Sequence, residues 1–283
     1  YCDEDTINLF LEPPLTVKIT TPENYSFIDN YSVLVEWEYK NGSTNLDRFE
    51  ICLDNEAWIN IGIQTSWIIE NASEGTHIFW VRAYDDVGNI ANSSVVFTVD
   101  RTPPQLMILS PENNTVQNIS KVVMRWNATD NIEIDHLEIR VNYGVWDNIG
   151  NTETYILYLC DGTHTIEVKA IDKAGHESIA MIMITIDTRS PYVEILQPEY
   201  NSRVGTIINV SWSASDKGTG VARTEIYVNG SLYHISTAGG DVAQYCIISG
   251  LSIGSSYEIK IRAYDFAGNI AEDTVEISVE PLD

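Results

Sequence analysis

The chain has 283 residues, 44% of them apolar and 10% aromatic, and its 41 acidic against 16 basic side chains give a formal charge of -25. That length exceeds one ordinary domain and that apolar content suits several small cores, whereas so acidic a surface repels phosphate backbones and excludes nucleic acid as a partner. The longest apolar runs, residues 155–160 and 179–184, fall far short of the ~20 residues that a spanning helix needs, so no transmembrane segment is expected.

The chain opens at Tyr1 with no initiator Met and no basic-then-apolar leader, which fits a removed signal peptide or a trimmed end. Residues 1–12 form an extension without counterpart in the rest of the chain. Ile7, Leu9 and Leu11 lie on one parity with Phe10 between them, and such residues need cover. Two covers are expected. One is the extension's own first domain, with Cys2 bonded to Cys52. The other is the open sheet edge of a neighbouring copy, which would accept Thr6, Ile7, Asn8, Leu9, Phe10 and Leu11 as an added strand. Donor and acceptor surfaces then differ, so the contact would propagate into a homopolymer.

Beyond the extension, three segments carry the same landmarks in the same order, which places domains at 13–100, 101–188 and 189–283. Each opens on proline, at Pro13-Pro14, Pro103-Pro104 and Ser190-Pro191. Each then has a tryptophan strand, Val33-Leu34-Val35-Glu36-Trp37, Val122-Val123-Met124-Arg125-Trp126 or Ile208-Asn209-Val210-Ser211-Trp212. A further strand begins at Phe49, Leu137 and Thr224. Late in each segment stand Val81-Arg82-Ala83-Tyr84-Asp85, Val168-Lys169-Ala170-Ile171-Asp172 and Ile261-Arg262-Ala263-Tyr264-Asp265, each with Gly three residues on. Closing strands are expected at 95–99, 182–186 and 275–279. Apolar residues alternate with polar ones at period two, turns rich in Asn, Gly and Asp recur every 8 to 12 residues, and helical periodicity is absent. That pattern predicts antiparallel two-sheet sandwiches of about seven strands.

These motifs, with Trp-X-Ala-X-Asp at residues 126–130 and 212–216 and the Ala-Tyr-Asp-X-X-Gly-Asn turn, resemble the bacterial and archaeal Ig-like repeats of surface proteins. The second-strand Trp and late-strand Tyr also resemble fibronectin type III. The resemblance implies an all-β fold, three tandem Ig-like or fibronectin type III-like antiparallel β-sandwiches in an elongated array. Sandwiches of this kind serve as spacers, adhesins, enzyme accessories and filament subunits alike. The first repeat departs from the pattern, reading Trp37-Glu38-Tyr39-Lys40-Asn41 with Asn where the others have Asp130 and Asp216.

Chance pairing of 22 Asn with 44 Ser and Thr in this length gives roughly 3 to 4 Asn-X-Ser/Thr triplets. Ten are present, beginning at Asn24, Asn30, Asn41, Asn71, Asn92, Asn113, Asn118, Asn127, Asn209 and Asn229, which points to an exported glycoprotein. The aspartates Asp85, Asp172 and Asp265 after the late strand, Asp130 and Asp216 after the Trp strand, and Asp100 and Asp187 before the linker prolines recur at the same ends of the repeats. Oxygen clusters at a junction suit calcium, and the bland alternative is that each Asp caps its own turn. Cys2, Cys52, Cys160 and Cys246 are even in number and allow three pairings, of which Cys2 with Cys52 is favoured. By parity Cys52 faces outward. Cys160 and Cys246 either pair elsewhere or stay as free thiols. The Trp residues at 37, 126 and 212 read as core. His77, His136, His164, His176 and His234 show no paired metal spacing, and His77 and His164 follow the equivalent Gly75-Thr76 and Gly162-Thr163.

No nucleophile elbow, phosphate-cradling loop or dinucleotide fingerprint appears, so no enzyme is expected. The expected function is that of an extracellular structural protein, a self-assembling surface-filament or cell-envelope subunit. The alternative is a monomeric adhesin or a spacer module that binds carbohydrate or protein.

Overall fold

The computed structural model describes residues 14–237 and 243–281, so Cys2 and residues 6–11, the expected assembly strand, lie outside them. The described residues form strands and turns, with no helix among them. No helix is therefore long and apolar enough to cross a membrane. Six sheets make three sandwiches, each a three-stranded sheet against a five-stranded one.

In the first sandwich the strands are β1 (Thr16–Thr21), β2 (Ser26–Ile28), β3 (Val33–Lys40), β4 (Leu46–Leu53), β5 (Ile59–Gly62), β6 (Ser66–Ile69), β7 (Gly75–Asp85) and β8 (Ile90–Val99). One sheet runs β1-β3-β6 and the other β2-β8-β7-β4-β5. The expected antiparallel pairing is present with one addition. β2 runs parallel to β8, as residues 115–117 do to 184–186 and 202–204 to 277–279. The cause is legible in the Pro after β1: without an N–H it cannot continue the ladder with β3, and the chain crosses to the opposite sheet. Pro22, Pro111 and Pro198 each stand at this crossing, behind a cis bond. Asn24 Oδ1 then accepts from Val96 N at 2.9 Å, and Asn113 Oδ1 from Met183 N at 2.8 Å, pinning the crossing strand to its new sheet. The crossing divides the first strand in two, giving eight strands per repeat where about seven were expected.

Period-two alternation becomes burial. Along β3 the pattern is Val33, Val35 and Trp37 buried against Leu34, Glu36 and Glu38 exposed. These meet Phe49, Ile51, Phe79, Val81, Ala83, Val95, Phe97 and Val99 from the other sheet. Trp37 is the centrepiece, edge-on to Phe49 at 5.7 Å and tilted over Phe79 at 6.2 Å between ring centroids. Trp126 and Trp212 are buried at the same place in their repeats, so all three are core. Their indole nitrogens fare differently. Trp126 donates to Thr152 O at 2.7 Å and Trp212 to Thr224 Oγ1 at 3.2 Å, whereas Trp37 Nε1 is buried without a partner.

Compact packing groups the described chain into two units. One runs up to Gln105 and includes Ala128–His136 and Ala170–Ser178, two loops of the second repeat. The other holds Leu106–Asn127, Leu137–Lys169 and the chain from Ile179 onward.

Candidate functional sites at the repeat junctions

The late aspartates end the long seventh strands, where the chain must reverse. Asp85 Oδ1 accepts from Val87 N at 3.2 Å and Asn89 N at 2.7 Å, and its Oδ2 accepts from Asn89 Nδ2 at 2.7 Å and Thr44 Oγ1 at 2.6 Å. The turn closes through a glycine with φ near +95° at Gly88 and Gly175 and +91° at Gly268, a conformation that favours glycine and explains the Asp-X-X-Gly spacing. Burial pushes the Asp85 carboxyl up, but the hydroxyl, amide and backbone donors outweigh it and hold the pKa at about 2. Asp265 repeats the arrangement with Asn269, at 2.8 and 2.7 Å. Asp172 repeats it with His176 in place of the Asn, the backbone N at 2.9 Å and Nδ1 at 2.8 Å.

Two of the aspartate sets come together and one does not. Single ligand atoms of Asp100, Asp172 and His176 lie within 4.8 Å of one another, and so do those of Asp187, Asp216 and Asp265. Asp85 belongs to neither group, and its oxygens are taken by the turn. Asp130 stands beside the first set, close enough that its charge acts on Asp100. Burial pushes the Asp100 carboxyl above the ordinary value and the charges of Asp130 and Asp172 add to it, against a hydrogen bond from Thr102 N.

The linkers themselves are fastened by carboxylates. Glu74 accepts from Arg101 N at 3.2 Å, from Thr102 Oγ1 at 2.9 Å and from Asn131 Nδ2 at 2.7 Å. The Arg101 guanidinium donates to Ala72 O at 2.8 Å and lies 4.3 Å over the Tyr31 ring. Ser178 Oγ donates to Pro104 O at 2.5 Å. At the second linker Asp161 accepts from Thr188 N at 3.0 Å and its hydroxyl at 2.9 Å, and pairs with Arg189 at 2.9 Å. The Thr188 donors, with Arg189, hold the Asp161 carboxyl below its ordinary value. Asn269 Nδ2 adds a bond to Asp187 O at 2.7 Å.

Glu74 and Asp161 were not singled out by sequence, yet both directly precede the repeated Gly-Thr-His. The histidines position their loops. His77 Nε2 donates to Ser73 O at 2.8 Å while Nδ1 faces Asp54 at 2.6 Å, and His164 Nε2 donates to Cys160 O at 2.8 Å.

All ten sequon asparagines are exposed, where a glycan can be accommodated. Among the described residues Cys52, Cys160 and Cys246 are free thiols, and the expected partner of Cys52 lies outside them. Cys52 does lie on the solvent-side face, opposite Trp80, but it is only 5% exposed rather than open. Glu56, Trp58, Trp80 and Arg82 line the cleft over it, with the Arg82 guanidinium 3.6 Å above the Trp58 ring.

Residues 191–279 match the model of the bacterial Ig domain. The fold is that of tandem Ig-like repeats. Chitinase A1 of Niallia circulans is 27% identical over 240 residues, 78% of this chain and 33% of that protein. Exoglucanase B of Cellulomonas fimi is 24% identical over 227 residues, 72% of this chain and 20% of that protein. The chain therefore spans a third or less of the length of the curated relatives it matches. Among solved structures, the fibronectin(III)-like modules of Clostridium thermocellum CbhA are 15% identical, covering 62% of this chain and 94% of theirs, with a TM-score of 0.41.

Proposed function

We propose that this chain is a non-catalytic, extracellular array of Ig-like domains that acts as a spacer, keeping apart whatever is joined to its two ends. The observation that carries the reading is the fastening of both linkers. A freely swivelling joint leaves its polar groups to water, whereas Arg101 N and Thr102 Oγ1 donate to Glu74, and Thr188 N and the Arg189 guanidinium to Asp161, both carboxylates standing in loops beside the linkers. Similarity to glycosidases fits an accessory stretch of such a protein, since the matched share of each relative is small. The exposed sequons and acidic surface suit a place outside the cell, with glycans on the exposed asparagines.

Two other readings compete. Assembly into a filament through residues 6–11 would need that segment to find a neighbouring sheet edge, and a sugar-binding module would need a platform for its ligand. One pelleting experiment separates the three. The full chain is centrifuged alone over a range of concentrations, and again with insoluble chitin or cellulose. The spacer stays in the supernatant in every tube. Pelleting alone would establish the filament reading, and pelleting only with polysaccharide the binding module.

A further inference from the structure

The two junctions share aspartates but differ in one loop, and that difference leaves carboxylate oxygens of the first without a donor. From Trp126 to Leu137 the chain takes 11 steps, and from Trp212 to Thr224 it takes 12. The longer loop carries Thr219 over Asp187, donating to its Oδ2 from the backbone N at 2.6 Å and from the hydroxyl at 2.8 Å. Asp187 Oδ1 receives Arg189 N at 3.3 Å, and Asp216 Oδ2 receives Gly218 N and Gly220 N at 3.0 and 2.6 Å. At the second junction, then, the buried aspartate is answered by the protein's own donors.

Asp100 has no such loop above it. Its Oδ1 takes Thr102 N at 3.2 Å, but Oδ2 is buried without a partner on a residue 0% exposed. Asp130 is only half-buried, but its Oδ1 takes Ile132 N and Glu133 N while its Oδ2 is likewise buried and unpartnered. A carboxylate oxygen of Asp100 lies within 4.8 Å of one of Asp172, and the Asp130 charge acts on Asp100, so the two orphaned oxygens are costly to bury unless a positive charge answers them. We propose that Asp100, Asp130 and Asp172 bind a calcium ion at the first junction, and that the second junction binds none because Thr219 takes its place.

The choice of ion rests on what is left to bind it. His176 holds the position of Asn89 and Asn269, and its Nδ1 meets Asp172 Oδ2 at 2.8 Å as their amides meet Asp85 and Asp265 at 2.7 Å. Nδ1 is thus the turn's donor, and the buried ligand atoms left without a partner are the oxygens of Asp100 and Asp130, the chemistry of a hard cation that fills its remaining positions with water. The proposal deepens the spacer reading, because the ion would tie the end of β8 to both neighbouring loops. Its test is independent of stiffness.

Calcium chloride is titrated by calorimetry into the full chain after removal of metals with a chelator. One site per chain is expected, with a dissociation constant on the order of 10⁻⁴ to 10⁻³ M, the range of extracellular modules. Asp100→Asn and Asp130→Asn, each of which keeps its turn-capping oxygen, should both lose the site, whereas Asp187→Asn should keep it unchanged. Absence of saturable binding, two ions per chain, a site that survives both first-junction variants, or zinc binding without calcium binding would each overturn the proposal.

Discussion

Trp212→Ala is expected to destabilise the third sandwich by about 3–5 kcal/mol, the usual cost of emptying a large aromatic site. Trp212 is fully buried and joins Val193, Val210, Ile226, Ile248, Ile259 and Ile261 in one core. Its indole also begins a buried polar chain, donating to Thr224 Oγ1, which donates to Gln244 Oε1 at 3.0 Å. Alanine leaves a cavity and removes one donor from that chain. Trp212→Phe restores most of the volume but still loses the donor, so its cost should be smaller and should exceed that of Trp37→Phe. Trp37 Nε1 has no partner to lose. Urea unfolding followed by circular dichroism measures the series. A cost below about 1 kcal/mol for Trp212→Ala would mean that the sheets do not close on this side chain.

Asp85→Ala should destabilise the first sandwich and remove part of its acid sensitivity. Four donors converge on this buried carboxylate, and alanine leaves them unanswered. The pH dependence comes from the direction of the shift. The folded carboxyl titrates at about 2, below its ordinary 3.8, so the folded state binds its proton less readily than the unfolded chain does. The carboxylate's contribution is fully present above pH 3.8 and is lost as the pH falls through about 2. Thermal melts between pH 4 and pH 2 should show the wild type losing stability more steeply than the variant. Equal slopes would show that Asp85 is not the group being titrated, and Asp29→Asn, at an exposed position, serves as the control.

What could be read from the sequence had local causes. Tryptophan parity placed three cores because burial alternates strictly along a strand, and the Asp-X-X-Gly spacing marked turns because the aspartate caps residues two and four ahead of it. Cys52 shows where that logic stops. Parity gave the correct face, but its cover comes from Trp58, Trp80 and Arg82, and no rule of alternation foresees side chains folding over from other parts of the sheet. Glu74 was hidden for a similar reason: its partners Arg101 and Thr102 lie 27 and 28 residues away, and only the tertiary fold brings them back. The aspartates were found as a recurring set, whereas the difference between the junctions depends on a single extra residue that brings Thr219 within reach of Asp187.

Nitrogen-15 relaxation of the backbone amides of Arg101, Thr102, Thr188 and Arg189 tests the fastened linkers most directly. Order parameters of about 0.85, equal to those of the neighbouring strands, are expected, with a fall at Arg101 and Thr102 when Glu74 is replaced by Ala. Values below about 0.6 in the wild-type chain would describe linkers that swivel freely, and a chain with such joints could not act as a spacer.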